Sequence, residues 1–95
     1  MSNTFPPILE TDLEDIAQTC GGIDYVDISK LSSKWESLDN DTRKNIKDLN
    51  SEFRYAASEI EDLDEIDFND EPEDDDIAET IAIWRKLVTA IKSVI

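Results

Sequence analysis

Carboxylates are the one reactive group this chain holds in quantity. The stretch EIEDLDEIDFNDEPEDDD, residues 59–76, is its densest part: positions 61–76 carry eleven Asp and Glu and no Lys or Arg. Carboxylates at this density suit a calcium loop, a general acid–base pair, or a charged contact surface. The calcium loop fails on spacing. Begun at Asp62, an EF-hand-like loop puts Asp67 at the sixth position, where the turn requires Gly. Begun at Glu65, it puts Asp70 there and ends on Asp76 instead of the usual bidentate Glu. The acid–base reading needs an apolar pocket to separate two carboxyl pKa values, and the run offers no such pocket.

The remaining candidates are few. The chain has no His, which removes the commonest general base and the commonest metal ligand. Cys20 has no imidazole to activate it and falls on an apolar face, so it reads as a buried structural thiol. A single Cys excludes an internal disulfide and fits a reducing compartment. Gly21-Gly22 lacks phosphate-loop spacing and reads as a helix stop. No enzymatic activity, cofactor or specific metal site is expected.

These residues must be held by helices. Ninety-five residues make one domain spanning 1–95, and two Gly with three Pro favour helices over a turn-rich sandwich. Pro6 and Pro7 predict an extended strap over residues 1–10, from which Phe5, Ile8 and Leu9 can lie across the domain. Thr11 and Glu14 form a capping-box pattern that predicts a short helix over 12–20, with Leu13, Ile16, Ala17 and Cys20 on one face. Ile28, Leu31, Trp35 and Leu38 predict a second helix near 28–38, capped by Asp27; a start at Asp24 is the alternative. Ile46, Leu49, Phe53, Ala56, Ile60 and Leu63 predict a long third helix over 42–63. Its heptad-like spacing would also serve a homodimer seam, although a bundle helix is favoured. Asp74, Asp75 or Asp76 caps a fourth helix, whose stripe is Ile77, Ile81, Trp84, Val88, Ile91 and Ile95, widened by Ile83, Leu87 and Val94. The expected fold is all-α: a small antiparallel bundle of three to four helices, with an acidic loop over 64–73 between the last two. Trp35 and Trp84 fall on core stripes, whereas Tyr55, beside Arg54, is placed to face a partner.

Charge then indicates function. The net charge is −15, and removing the 61–76 run leaves thirteen acids and nine bases on the other 79 residues. The imbalance is local, and it disfavours direct binding to nucleic acid or to an anionic membrane. No apolar run approaches bilayer length and the N-terminus lacks the parts of a secretion signal, so cytoplasmic residence is expected. Leu63, Ile66 and Phe68 interrupt the acids; they either anchor the segment to the bundle or project into a partner. A charged loop held at both ends loses less entropy on binding than a free tail. It steers a basic partner and competes with nucleic acid for the same cleft.

In acidity, length and expected helical architecture the chain resembles nuclease-toxin immunity proteins. It is equally similar to DNA-mimicking phage anti-defence proteins, some anti-CRISPRs among them. The Tyr-Tyr-Pro of colicin DNase immunity proteins is absent, and no residue role is carried over. The resemblance implies a non-catalytic inhibitor of a basic partner, a nuclease or another nucleic-acid-binding effector. The residues expected to meet it are Asp62, Asp64, Glu65, Ile66, Asp67, Phe68, Asp70, Glu71, Glu73, Asp74, Asp75 and Asp76, with Ile66 and Phe68 adding apolar contact. The alternative is a helical adaptor or assembly subunit with an apolar interface, whose acids serve solubility only.

Overall fold

A computed structural model of the chain describes residues 4–60, 63–70 and 72–95, with residue 64 described through its backbone alone. Four α-helices run through them: α1 (Pro7–Thr19), α2 (Tyr25–Lys34), α3 (Asn40–Ser58) and α4 (Asp75–Lys92). Single 3₁₀ turns lie at Trp35–Ser37 and Leu63–Glu65, and no strand occurs among the described residues. The all-α bundle expected from the hydrophobic spacing is the fold observed. Its dimensions are 43 × 22 × 21 Å.

The first helix begins earlier than expected. Pro7 stands at its first position, so of the strap expected over 1–10 residues 7–10 are helical, 4–6 precede the helix, and 1–3 lie outside the described residues. Pro at that position has no amide to leave unpaired, and its fixed φ is already helical. Pro6, ahead of another proline, is held extended (φ −64°, ψ 130°) and so sits at the N-cap. Thr11, expected to be the cap, lies inside the helix and donates its hydroxyl to the Pro7 carbonyl at 3.0 Å. Leu9, Leu13 and Ile16 face the core, and Phe5 packs edge-on against Trp35 with ring centroids 5.2 Å apart. Ile8, 70% exposed, takes no part in that packing.

The α1–α2 turn is shaped by Gly21 and Gly22, both at positive φ. Trp84 Nε1 donates to the Gly21 carbonyl at 3.2 Å. A Cβ on Gly22 would lie 2.6 Å from Trp84 Cζ2, so this turn closes directly onto the indole. Of the two starts open for the second helix, Asp24 is the one used. It accepts from Asp27 N at 2.9 Å, and the Asp27 carboxylate accepts from Asp24 N at 3.2 Å. The helix gives way to the 3₁₀ turn at Trp35, short of the expected Leu38.

Arg43 explains how the chain turns there. Its side chain is 8% exposed, and its guanidinium donates to the carbonyls of Trp35, Glu36 and Leu38 and to the Asn40 side chain. These carbonyls lie where the helical hydrogen-bond ladder has run out, and the arginine supplies their donors. Asp39 caps α3 through Thr42 N at 2.7 Å, and hydrogen bonding to Thr42 holds its carboxyl below the usual aspartate value.

The third helix ends at Ser58, short of the expected 63. The apolar spacing runs on, but no base stands in the last turn and the acids begin at Glu59. The partial negative charge at a helix C-terminus opposes further acids, so the dipole stops what the hydrophobic pattern would extend. The reverse holds at α4, where Asp74 accepts from Asp76 N and Ile77 N at 2.9 and 3.4 Å and Asp75 and Asp76 fill the first turn. Its core stripe centres on Leu87, with Thr80, Ile81, Trp84 and Ile91 buried beside it.

The helices α3 and α4 form the most extensive pair, and they are antiparallel. Glu59 and Asp76 border one end of the groove between them, Asn45 and Ser93 the other. On the far side, α1 packs on α2 and α3, and α2 reaches the end of α4. Lys92 lies 3.7 Å from Asp27, and Lys34 Nζ donates to the Ile95 carbonyl at 3.2 Å.

Candidate functional site

The acidic segment leaves α3 at Glu59, makes its 3₁₀ turn at Leu63–Glu65, and enters α4 through the Asp74 cap. Its three apolar residues all turn inward. Leu63 and Ile66 are half-buried against the core, and Phe68 is 2% exposed. The Phe68 ring lies edge-on to Trp84 at 5.2 Å (83°) and tilted to Phe53 at 6.2 Å. Of the two roles open to Phe68, the structure shows the first: its ring anchors the segment to the bundle and is not on the surface. The sequence allowed both roles; the Phe53 and Trp84 stripes left a gap between them that a ring could fill.

With the apolar side chains drawn in, the carboxylates point out. Glu65, Asp67, Asp70, Glu73, Asp74, Asp75 and Asp76 are all exposed. Asp62 and Glu71 lie outside the described residues, as does the side chain of Asp64. Asp67 accepts from Asn69 N at 2.9 Å, and the Asp70 amide donates to the Asp67 carbonyl at 3.2 Å, so a tight turn sets their spacing. Ile66 N closes the 3₁₀ turn on the Leu63 carbonyl at 3.2 Å.

No Lys or Arg occurs between Tyr55 and Trp84, so no base of the intervening chain neutralises the segment. Glu65, Asp67, Glu73, Asp75 and Asp76 share no ion pair with a described base. Lys44–Asp48, Arg54–Asp12 and Lys92–Asp27 pair elsewhere on the helices. Among the described residues, no three acids or thiols converge in a way that could hold a metal ion. No helix among them is long and apolar enough to cross a membrane.

A cleft of about 280 Å³ opens between α1 and α3, lined by Asp12, Ile16, Cys20, Phe53, Arg54 and Leu63 among others. Of its two carboxylates, Asp12 and Asp15, the first is engaged: Asp12 accepts from Asn50 Nδ2 at 2.9 Å and pairs with Arg54 at 3.4 Å. Burial pushes the Cys20 thiol up to about 12, so it stays protonated at neutral pH and is a poor nucleophile. The exposed Tyr55, 74% accessible, stands away from this cleft on the rim of the α3–α4 groove.

Comparison with known protein families, characterised proteins and solved structures finds no match to this chain.

Proposed function

We propose that the protein is a non-catalytic inhibitor, working in the cytoplasm, that sets its acidic segment against the basic, nucleic-acid-handling face of a partner protein. The observation that carries the reading is the division of labour within residues 63–76. The apolar side chains hold the segment to the bundle, and the described carboxylates are exposed on it. A leash kept only for solubility has no need of a buried ring. A charge array already fixed to a scaffold gives up little entropy when it docks and steers a cationic partner at long range.

The test begins with affinity capture from cells of the native host and identification of the captured protein. Its association rate should fall at least about tenfold between roughly 50 and 300 mM salt, because exposed charges are screened over that range. The substitutions Asp70→Asn, Glu71→Gln, Asp74→Asn and Asp75→Asn together remove four charges, and Asn at position 74 keeps a good N-cap. Undiminished binding by this variant would reject the inhibitor reading. The exposure of Ile8, Val26 and Tyr55 supports a second reading, an adaptor with an apolar interface. Its binding would hardly respond to salt.

A further inference from the structure

The face of the α3–α4 pair turned away from α1 and α2 carries a groove that no residue of those two helices lines. Leu49, Ala56, Ile83 and Ala90 form a half-buried apolar floor, and the ring of Tyr55 stands exposed above it. From Asn45 to Glu59 the groove runs about 21 Å at 1.5 Å per residue, the length of roughly four helical turns.

Its walls carry opposite charge at their two ends. Glu52, Glu59, Asp76 and Glu79 border the half next to the acidic segment, with Lys86 the base among them. Arg85 and Lys86 border the other half, where no acid does. Asp76 belongs both to the groove and to the acidic run, so the two surfaces are continuous. Four acids against two bases leave the walls net negative, which selects a cationic occupant. A second copy of the chain would bring another −15 to the same place.

We infer that this groove receives an amphipathic, Lys/Arg-rich helix of the partner, laid lengthwise along α3 and α4. Its apolar stripe sits on Ala56 and Ile83, and its most basic end lies beside Glu59, Asp76 and Glu79. This is helix-in-groove recognition with a charge gradient that fixes the direction of the guest helix. The inference rests on the proposal that the partner is basic, and adds which element of it is read.

Two synthetic peptides of about 18 residues, identical in Lys, Leu and Ala content, separate the two ideas. One places Leu at i, i+3, i+4 and i+7; the other scrambles that order. At about 150 mM salt the ordered peptide should bind at least about tenfold tighter than the scrambled one, and amide shifts should follow the groove. Ile83→Glu should weaken the ordered peptide at least about fivefold although it adds a negative charge, whereas attraction by charge alone would strengthen it. Tyr55→Ala, at an exposed position that cannot unfold the bundle, should weaken it in the same sense. Equal binding of both peptides with no loss in Ile83→Glu overturns the groove and leaves the charge reading standing. Failure of both peptides to bind even at low salt overturns the charge reading as well. Dimers in sedimentation whose amide shifts map to the groove would overturn the inference by giving the site to a second copy.

Discussion

Truncating Phe68 tests whether the acidic segment is fixed to the bundle. Burial of a Phe ring is worth about 1.5–3 kcal/mol, and a Phe→Ala change in a helical core costs about 3–5. The contacts with Trp84 and Phe53, at 5.2 and 6.2 Å, add about 0.5–1.5 kcal/mol each when geometry is favourable. A connection can swing away and let water into its place, which a helix cannot do, so the lower end of the core range applies. Phe68→Ala should therefore cost about 3 kcal/mol, and Phe68→Leu about 1. At roughly 4–8 °C per kcal/mol for a domain of this size, the Ala variant melts about 12–24 °C lower. Urea unfolding followed by Trp fluorescence, with far-UV circular dichroism as a second probe, measures the loss. Amide exchange at Asp67 to Asp70 should accelerate in the same variant. A cost below about 1 kcal/mol with unchanged exchange would refute the anchoring argument, since a ring 2% exposed between two aromatic neighbours cannot be removed so cheaply.

Other perturbations follow from the same geometry. Gly22→Ala meets both a positive φ of 85° and the Trp84 ring, and should cost about 2–3 kcal/mol in thermal or urea unfolding. Gly21→Ala, with φ 78° and open space at its Cβ, should cost only about 1 kcal/mol. Arg43→Met strips the donors from the Trp35, Glu36 and Leu38 carbonyls, and a loss of about 2–3 kcal/mol is expected by the same measurement. Lys at this position should not restore stability, because one ammonium cannot reproduce the planar fork. For Cys20 the folded thiol keeps its proton up to about 12, whereas a thiol exposed to water loses it at 9.0. The unfolded chain thus binds fewer protons than the folded one in that interval, and stability contributed by the thiol is lost as pH rises above 9. The decline should be shallower in Cys20→Ala than in the wild type when urea midpoints are compared across that range. Thiol-directed reagents at pH 8 should label Cys20 much more slowly than a free cysteine, because the raised pKa leaves little thiolate to react.

Hydrophobic spacing made the helices legible because a stripe of three-and-four repeats has one stable solution, a buried face. It placed Trp35, Phe53, Ile81 and Trp84 in the core and the break at Gly21-Gly22 where the chain turns. Helix ends were read less well, because they answer to forces that the spacing does not carry. Pro7 starts α1 where its neighbour Pro6 signals extended chain, and a single pair of residues encodes both. The acids after Ser58 end α3 although Ile60 and Leu63 keep its period. Arg43 gave no sign of its role, since its partners are carbonyls that every residue possesses and only the path of the chain brings them within reach. In the acidic segment the residue types alone set the sign of the charge and mark the three apolar interruptions. Which way Phe68 faces depended on a gap between two helices that no linear pattern describes.

The indole of Trp84 is a wall shared by two connections distant in sequence. One edge takes the Gly21–Gly22 turn, through the hydrogen bond from Nε1 and the close approach at Gly22, and the ring also receives Phe68 from the acidic segment. Rearranging either one moves the surface on which the other rests. The energetic effects of Gly22→Ala and Phe68→Leu should accordingly fail to add. Trp84 also reports on both connections, so with Trp35 replaced by Phe a ligand that shifts the acidic segment becomes visible in Trp84 emission without any label. The turn that joins the first two helices is, in this sense, a remote member of the acidic surface, wired to it through one side chain.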